Sequence, residues 1–335
     1  MSLEHNENYE GPESYFKDRE SVVESFEDLN NKIQRLIANN PKLSFVWRGQ
    51  ANSQWGLKSS LYRELDGYDE KTMGNVDEDK LVNKEKNILE IARESWRMHN
   101  VSALEIFADI QHHGGVTRLL DVTLNPYVAT WFAVESDKHE GYDARIFAIS
   151  KDSENADPQT IENLKITDKD LRAKDPFWHA WDSKDRELHN WGTGDGRRIW
   201  VPPTYNNRIL AQNAAFLIDG VPRSTNYNSS YFAVKHPKNE KTKNNFWKIR
   251  DIRSSSSIPA LLYNLEEGEE VRKKNRRQKT GRKRNLAPTF TFRIKAEAKS
   301  EIRRNLENVF GYTSSVIYPD ILGLSIYSRS QIYKD

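Results

Sequence analysis

Ser44-Phe45-Val46-Trp47-Arg48-Gly49-Gln50 is a short aromatic and β-branched run interrupted by a glycine. It reads as a strand that Gly49 breaks, with Arg48 at its end. Upstream, Val22, Phe26, Leu29, Ile33 and Ile37 recur at three- and four-residue spacing. That spacing predicts an amphipathic helix, which Asn39-Asn40-Pro41 stops. Downstream, after an exposed Asp/Gly/Glu-rich loop over 66–79, one helix carries Leu81, Ile88, Leu89, Ala92 and Trp96. A second runs from Ser102 to His112 and is stopped by Gly114-Gly115. Asn125 and Pro126 suit the N-cap and first residue of a helix through Val128, Trp131 and Phe132. Ala144–Ile149, Ala214–Ile218 and Thr289–Lys295 read as strands, and 296–308 and 319–332 as helices. This irregular alternation predicts an α+β fold, with a mixed, largely antiparallel sheet and flanking helices, over a doubly wound parallel one.

Composition narrows the function classes. The 335 residues contain no cysteine, which excludes disulfide frameworks, thiolate zinc sites and cysteine nucleophiles. No metal is expected, because the adjacent His112-His113 pair supplies too few ligands for a zinc site. The opening residues are polar and acidic (Glu4, Glu7, Glu10, Glu13), and no run of about 18 apolar residues occurs, so neither a signal peptide nor a membrane span is expected. The chain reads as cytoplasmic. Residues 1–18 lack apolar periodicity and read as a flexible lead-in, with one domain over 19–335.

Two segments of that domain stand apart. Region 151–206 looks irregular yet aromatic, with Phe177, Trp178, Trp181, Trp191 and Trp200. The run 272–284 holds nine cations (Arg272, Lys273, Lys274, Arg276, Arg277, Lys279, Arg282, Lys283, Arg284), so the net charge of +2 hides an acidic remainder. Rings and cations are the ingredients of single-strand nucleic-acid binding. A solvated loop that binds polyanions weakly and with strong salt dependence is the plainer reading of 272–284.

Several blocks together resemble the FRG domain. They are Phe45-x-x-Arg48-Gly49-Gln50, Trp55-x-Leu57-x-x-Ser60-Leu61-x-Arg63, and Gln111-His112-x-Gly114-x-x-Thr117-Arg118-Leu119-Leu120-Asp121-x-Thr123-x-Asn125-Pro126 continuing to Phe132-Ala133. Arg208-Ile209-x-x-Gln212-x-x-x-Phe216 and Tyr318-Pro319-Asp320-Ile321-x-Gly323-Leu324 resemble its closing elements. The likeness spans about 45–325, with Val116 where the family usually has Pro, Ala215 where it has Gly, and 271–286 standing as a basic insertion. The resemblance implies a bacterial protein, in some cases one with a role in phage defence. Arg48-Gly49 is also similar to the first element of Arg-Ser-Glu-type ADP-ribosyltransferases, whose arginine holds the NAD pyrophosphate. Thr123 resembles their second element. Where their third element carries glutamate, this chain offers Gln212, read as lying on a strand near 208–212, with Glu187 or Asp195 as replacement carboxylates.

The residues themselves leave alternatives open. Arg48, beside a residue without Cβ, can present a planar fork to phosphate or fix strand and loop by hydrogen bonds. His112, at a helix end beside His113, suits a general base, a nucleotide contact or a helix-dipole partner. Arg118 and Asp121 share a short turn, as an internal ion pair or as a phosphate contact and a carboxylate orienting His112 or a ribose hydroxyl. Asn125 is a helix cap whose N-terminus could receive an anion. The leading expectation is an effector that binds a dinucleotide such as NAD through Arg48, Gly49, Gln50, Gln111, Arg118, Thr123 and Asn125. His112, Asp121 and Gln212 would then transfer ADP-ribose to a macromolecular acceptor. The alternatives are a nucleic-acid-binding protein or metal-independent nuclease that uses His112 and the basic arm, and a recognition module without chemistry.

Overall fold

The computed structural model describes residues 11–17, 19–67, 76–151, 158–223, 225, 263–266, 268 and 287–331. The basic run 272–284, residues 1–10 and the middle of the 66–79 loop lie outside the described residues. Among the described residues there are seven strands: β1 Glu20–Val23, β2 Phe45–Gln50, β3 Leu120–Thr123, β4 Ala144–Ser150, β5 Arg198–Trp200, β6 Ala214–Ile218 and β7 Thr289–Ile294. They form one open sheet in the order β1-β7-β4-β2-β3-β6-β5. The pair β1/β7 is parallel and the others are antiparallel, so the fold is α+β. The helices of the first half are α1 Gly11–Lys17, α2 Phe26–Asn39, α3 Ser60–Gly67, α4 Glu78–Glu94, α5 Ala103–His112 and α6 Pro126–Val134. No helix among the described residues is long and apolar enough to cross a membrane.

The two faces of the sheet carry different cores, as the period-2 alternation of strand side chains requires. Phe45, Trp47, Ile146, Phe290 and Phe292 pack under α2, α6 and the helix Lys299–Phe310. Val46, Leu120, Val122, Phe147 and Leu217 turn the other way, against Leu57 and Phe16. Phe16 belongs to α1 and lies edge-on to Phe147 at 5.2 Å, against the sheet. At the β6/β5 end, Phe216, Ile218 and Trp200 pack with α4, α5, Trp178 and Trp191.

The structure corrects several expectations. β2 runs through Gly49 to Gln50, because the glycine serves close approach rather than termination. A Cβ there would overlap the Ala129 carbonyl oxygen and come within 2.9 Å of Ala133 N, both in α6. The helix expected from Val22 begins at Phe26, where Ser25 Oγ accepts from Asp28 N (3.1 Å), and Val22 lies in β1. Leu36 rather than Ile37 turns inward. Residues 207–211 form a helical turn, not a strand, capped by Asn206 Oδ1 on Ile209 N (2.8 Å). The described part of region 151–206 contains short helices over 158–163, 168–171, 177–180 and 183–188, followed by β5. Trp178, Trp191 and Trp200 are buried, each contributing about 1.5–3 kcal/mol or more of apolar burial, and do not form a stacking surface.

Candidate functional site

A cleft of about 1600 Å³ borders the place where β2 and β3 part. The two strands share one bridged pair, Trp47 with Thr123. Just beyond it, Arg48 Nη1 donates to the Asp121 carbonyl at 2.7 Å, so a side chain satisfies an acceptor that a continued ladder would have served. Two helices deliver further groups. The last turn of α5 supplies Gln111 and His112 and is stopped by Gly114 in the left-handed region (φ 82°). α6, seated directly on Gly49, brings Glu135 at its C-terminal end to the same space.

Arg48 is half-buried, and no carboxylate among the described residues pairs with it. Its Nε is buried without a hydrogen-bond partner. Burial lowers its pKa to about 10, against the opposing charge of Asp121, and it stays protonated at neutral pH. Arg63, whose Nη1 donates to Lys58 O (2.6 Å), lines the same cleft. Arg48, Lys58, Arg63, Lys138, Arg208 and Arg303 outnumber Asp121, Glu135, Asp137 and Glu307 there. Lys58, Arg208 and Arg303 are paired with Asp66, Asp320 and Asp137, whereas no carboxylate among the described residues pairs with Arg48, Arg63 or Lys138, and these three cations favour an anionic ligand. Asp121 is oriented from behind: its Oδ2 accepts from Gln111 Nε2 (2.7 Å), and Gln111 Oε1 accepts from Thr117 Oγ1 (2.7 Å) and Ser60 Oγ (3.2 Å).

His112 is buried beside Phe216, with ring centroids 5.3 Å apart, and its Nδ1 lacks a partner. Burial lowers its pKa; Asp121 opposes this, while Arg208 and His113 reinforce it, so the imidazole is neutral at pH 7. Asp121 makes no hydrogen bond to it among the described residues, its Oδ2 being used by Gln111. The His112 carbonyl instead accepts from Arg208, whose guanidinium also pairs with Asp320 and lies 5.1 Å from the Tyr318 ring. Tyr318 Oη in turn donates to Glu135 (3.1 and 3.2 Å). Burial raises the Glu135 pKa to about 8, with the Tyr318 hydrogen bond opposing.

Of the residues singled out in the sequence, Arg48, Gly49, Gln50, Gln111, His112, Asp121, Thr123 and Gln212 line this one cleft. Arg118 does not reach it. That guanidinium is fully buried and pairs with Glu85 (2.6 Å) and Glu78 (2.6 Å), 5.3 Å from the Trp178 ring, instead of with Asp121. Glu85 also accepts from Trp178 Nε1 (2.9 Å), so Arg118 ties α4 and the aromatic region to the start of β3. Asn125 is likewise outside the lining: it caps α6 through Tyr127 N (2.9 Å) and donates to Tyr312 Oη (2.8 Å). Gln212 donates its side-chain amide to Ile317 O (3.1 Å), while its backbone carbonyl accepts from Thr123 Oγ1 (2.6 Å). Glu187 and Asp195 do not line the cleft. Glu135, Arg63, Arg208 and Tyr318 do, and no role was assigned to them from sequence. The readable sign for Glu135 is a lone carboxylate closing the apolar helix Pro126–Val134.

No curated protein and no solved structure matches the chain. The family models give one match: residues 43–141, which run from the approach to β2 past the end of α6, match the FRG domain. The arginine-bearing strand, the α5 terminus, β3 and α6 all fall inside that segment, so the match to the FRG domain covers the part of the chain that builds this side of the cleft.

Proposed function

We propose that the cleft binds a dinucleotide such as NAD and that the protein transfers ADP-ribose from it to a macromolecular acceptor. The observation that carries this reading is Arg48: a guanidinium without a carboxylate partner among the described residues, half-buried in a cleft that Arg63 and Lys138 also line, is suited to a phosphate. In the reaction, the bond between the nicotinamide nitrogen and the ribose carbon breaks, and its electron pair leaves with nicotinamide. An acceptor oxygen or nitrogen forms the new bond and gives up its proton. Asp121, held by Gln111, offers negative charge to the ribose as positive charge builds on it. His112, neutral at pH 7, can take the acceptor's proton. Gln212 holds backbone, so the carboxylate expected of a third element falls to Asp121.

Calorimetric titration with NAD tests the reading. The wild-type protein is expected to bind, Arg48→Ala to lose at least about tenfold in affinity, consistent with one charge-assisted contact of roughly 1.5–3 kcal/mol, and Arg48→Lys to fall between. Thermal melting of each variant separates loss of binding from loss of fold. Equal affinity in wild type and a folded Arg48→Ala, or binding in neither, refutes the proposal.

A further inference from the structure

The loop after β2 carries Trp55, which borders the cleft with 42% of its surface exposed. Its ring stands edge-on to His139, with centroids 4.8 Å apart and planes at 85°, so the two rings form an open corner. The corner is held in place. Gln50 Nε2 donates to the Gly56 carbonyl (3.2 Å), fixing the residue beside Trp55. The buried Lys299 ammonium donates to the carbonyls of Ala51 (3.0 Å), His139 (2.6 Å) and Tyr142 (3.1 Å), clamping the segment that leads to Trp55 against the one that bears His139. Gln50 Oε1 and His139 Nδ1 are buried without partners in the same lining. A flat heterocycle laid on one ring of the corner meets the other with its edge.

Because Arg48 and Gln50 lie two positions apart on β2, their Cα atoms are about 7 Å apart on one face of the strand. We infer that Trp55 and His139 form the ring-binding subsite of the cleft, stacking the heterocycle of a nucleotide whose phosphate lies on Arg48. The inference rests on the nucleotide reading and adds to it a contact that selects for the ring. Lys299 is a positioning residue: it acts through the two loops.

Calorimetry of the full-length protein with NAD, ADP, nicotinamide mononucleotide and inorganic pyrophosphate tests the subsite, using wild type, Trp55→Ala, Trp55→Phe and His139→Ala. Trp55→Ala is expected to weaken NAD about tenfold or more, the loss of one base–aromatic stack, and Trp55→Phe to keep most of the affinity. Whichever of ADP or the mononucleotide seats its ring there weakens with NAD, whereas pyrophosphate, which has no ring, binds wild type and Trp55→Ala alike. Unchanged NAD affinity in Trp55→Ala, or an equal loss for pyrophosphate, overturns the subsite and leaves the nucleotide reading standing. A wild-type protein that binds none of the four overturns both.

Discussion

Replacing Gly49 by alanine tests the link between the Arg48-Gly49 pair and the shape of the cleft. The added Cβ would overlap Ala129 O and sit 2.9 Å from both Ala129 C and Ala133 N. All three are backbone atoms of α6, so no side-chain rotation relieves the clash and the helix must move off β2. Overpacking of this kind costs about 1–3 kcal/mol and more where the neighbours cannot yield, which places Gly49→Ala at roughly 3 kcal/mol or above. Gly114→Ala is the matched control. Nothing lies within 4 Å of its Cβ position, and its φ of 82° costs only about 1–2 kcal/mol. Urea denaturation of the two variants, with hydrogen exchange of the α6 amides, reads the difference. Gly49→Ala should be the less stable and should lose protection in α6. If it is within 1 kcal/mol of wild type, or no worse than Gly114→Ala, α6 does not depend on that contact and the account of the cleft wall fails.

Arg118→Met should destabilise by about 3–5 kcal/mol, because it strands Glu85 in a buried site; the double variant Arg118→Met/Glu85→Gln should cost less than the sum of the singles. Additive losses in urea denaturation would show that the two are not coupled. Glu135 supplies a pH test. Its folded-state pKa is raised to about 8 from an ordinary value near 4.5, so folding retains a proton and the stabilisation is complete below pH about 4.5 and lost as pH rises to about 8. Glu135→Gln should therefore gain stability relative to wild type across that interval, and parallel stability–pH curves for the two proteins would contradict the assignment.

Long elements were legible in the sequence and short ones were not. The apolar spacing of Leu104, Phe107 and Ile110 and the left-handed Gly114 place α5, and Asn125-Pro126 places α6, because caps and periodicity are local signals. β3 was missed because Leu120-Asp121-Val122-Thr123 is only four residues, and its partners Leu217 to Ala214 are supplied by a strand nearly a hundred positions away. Gly49 was misread for a related reason: a glycine within a strand can end it or admit a close neighbour, and the neighbour, α6, is distant in sequence. The site followed the same division. Arg48, Gln111, His112 and Asp121 come from one compact set of motifs and share the cleft. Arg118 stands three residues from Asp121 yet reaches the opposite way, because successive side chains approaching and entering a strand alternate and because Glu78 and Glu85 lie on α4 to receive it. Glu135 and Tyr318 are joined by a hydrogen bond that no spacing rule anticipates.

If the guanidinium of Arg48 receives a phosphate, a crystal structure of the protein with NAD will show diphosphate density within about 2.7–3.0 Å of the Arg48 nitrogens, in the cleft bounded by Asp121, His112 and Glu135. NAD bound elsewhere, or bound in this cleft with Arg48 still engaged only by the Asp121 carbonyl, would contradict it.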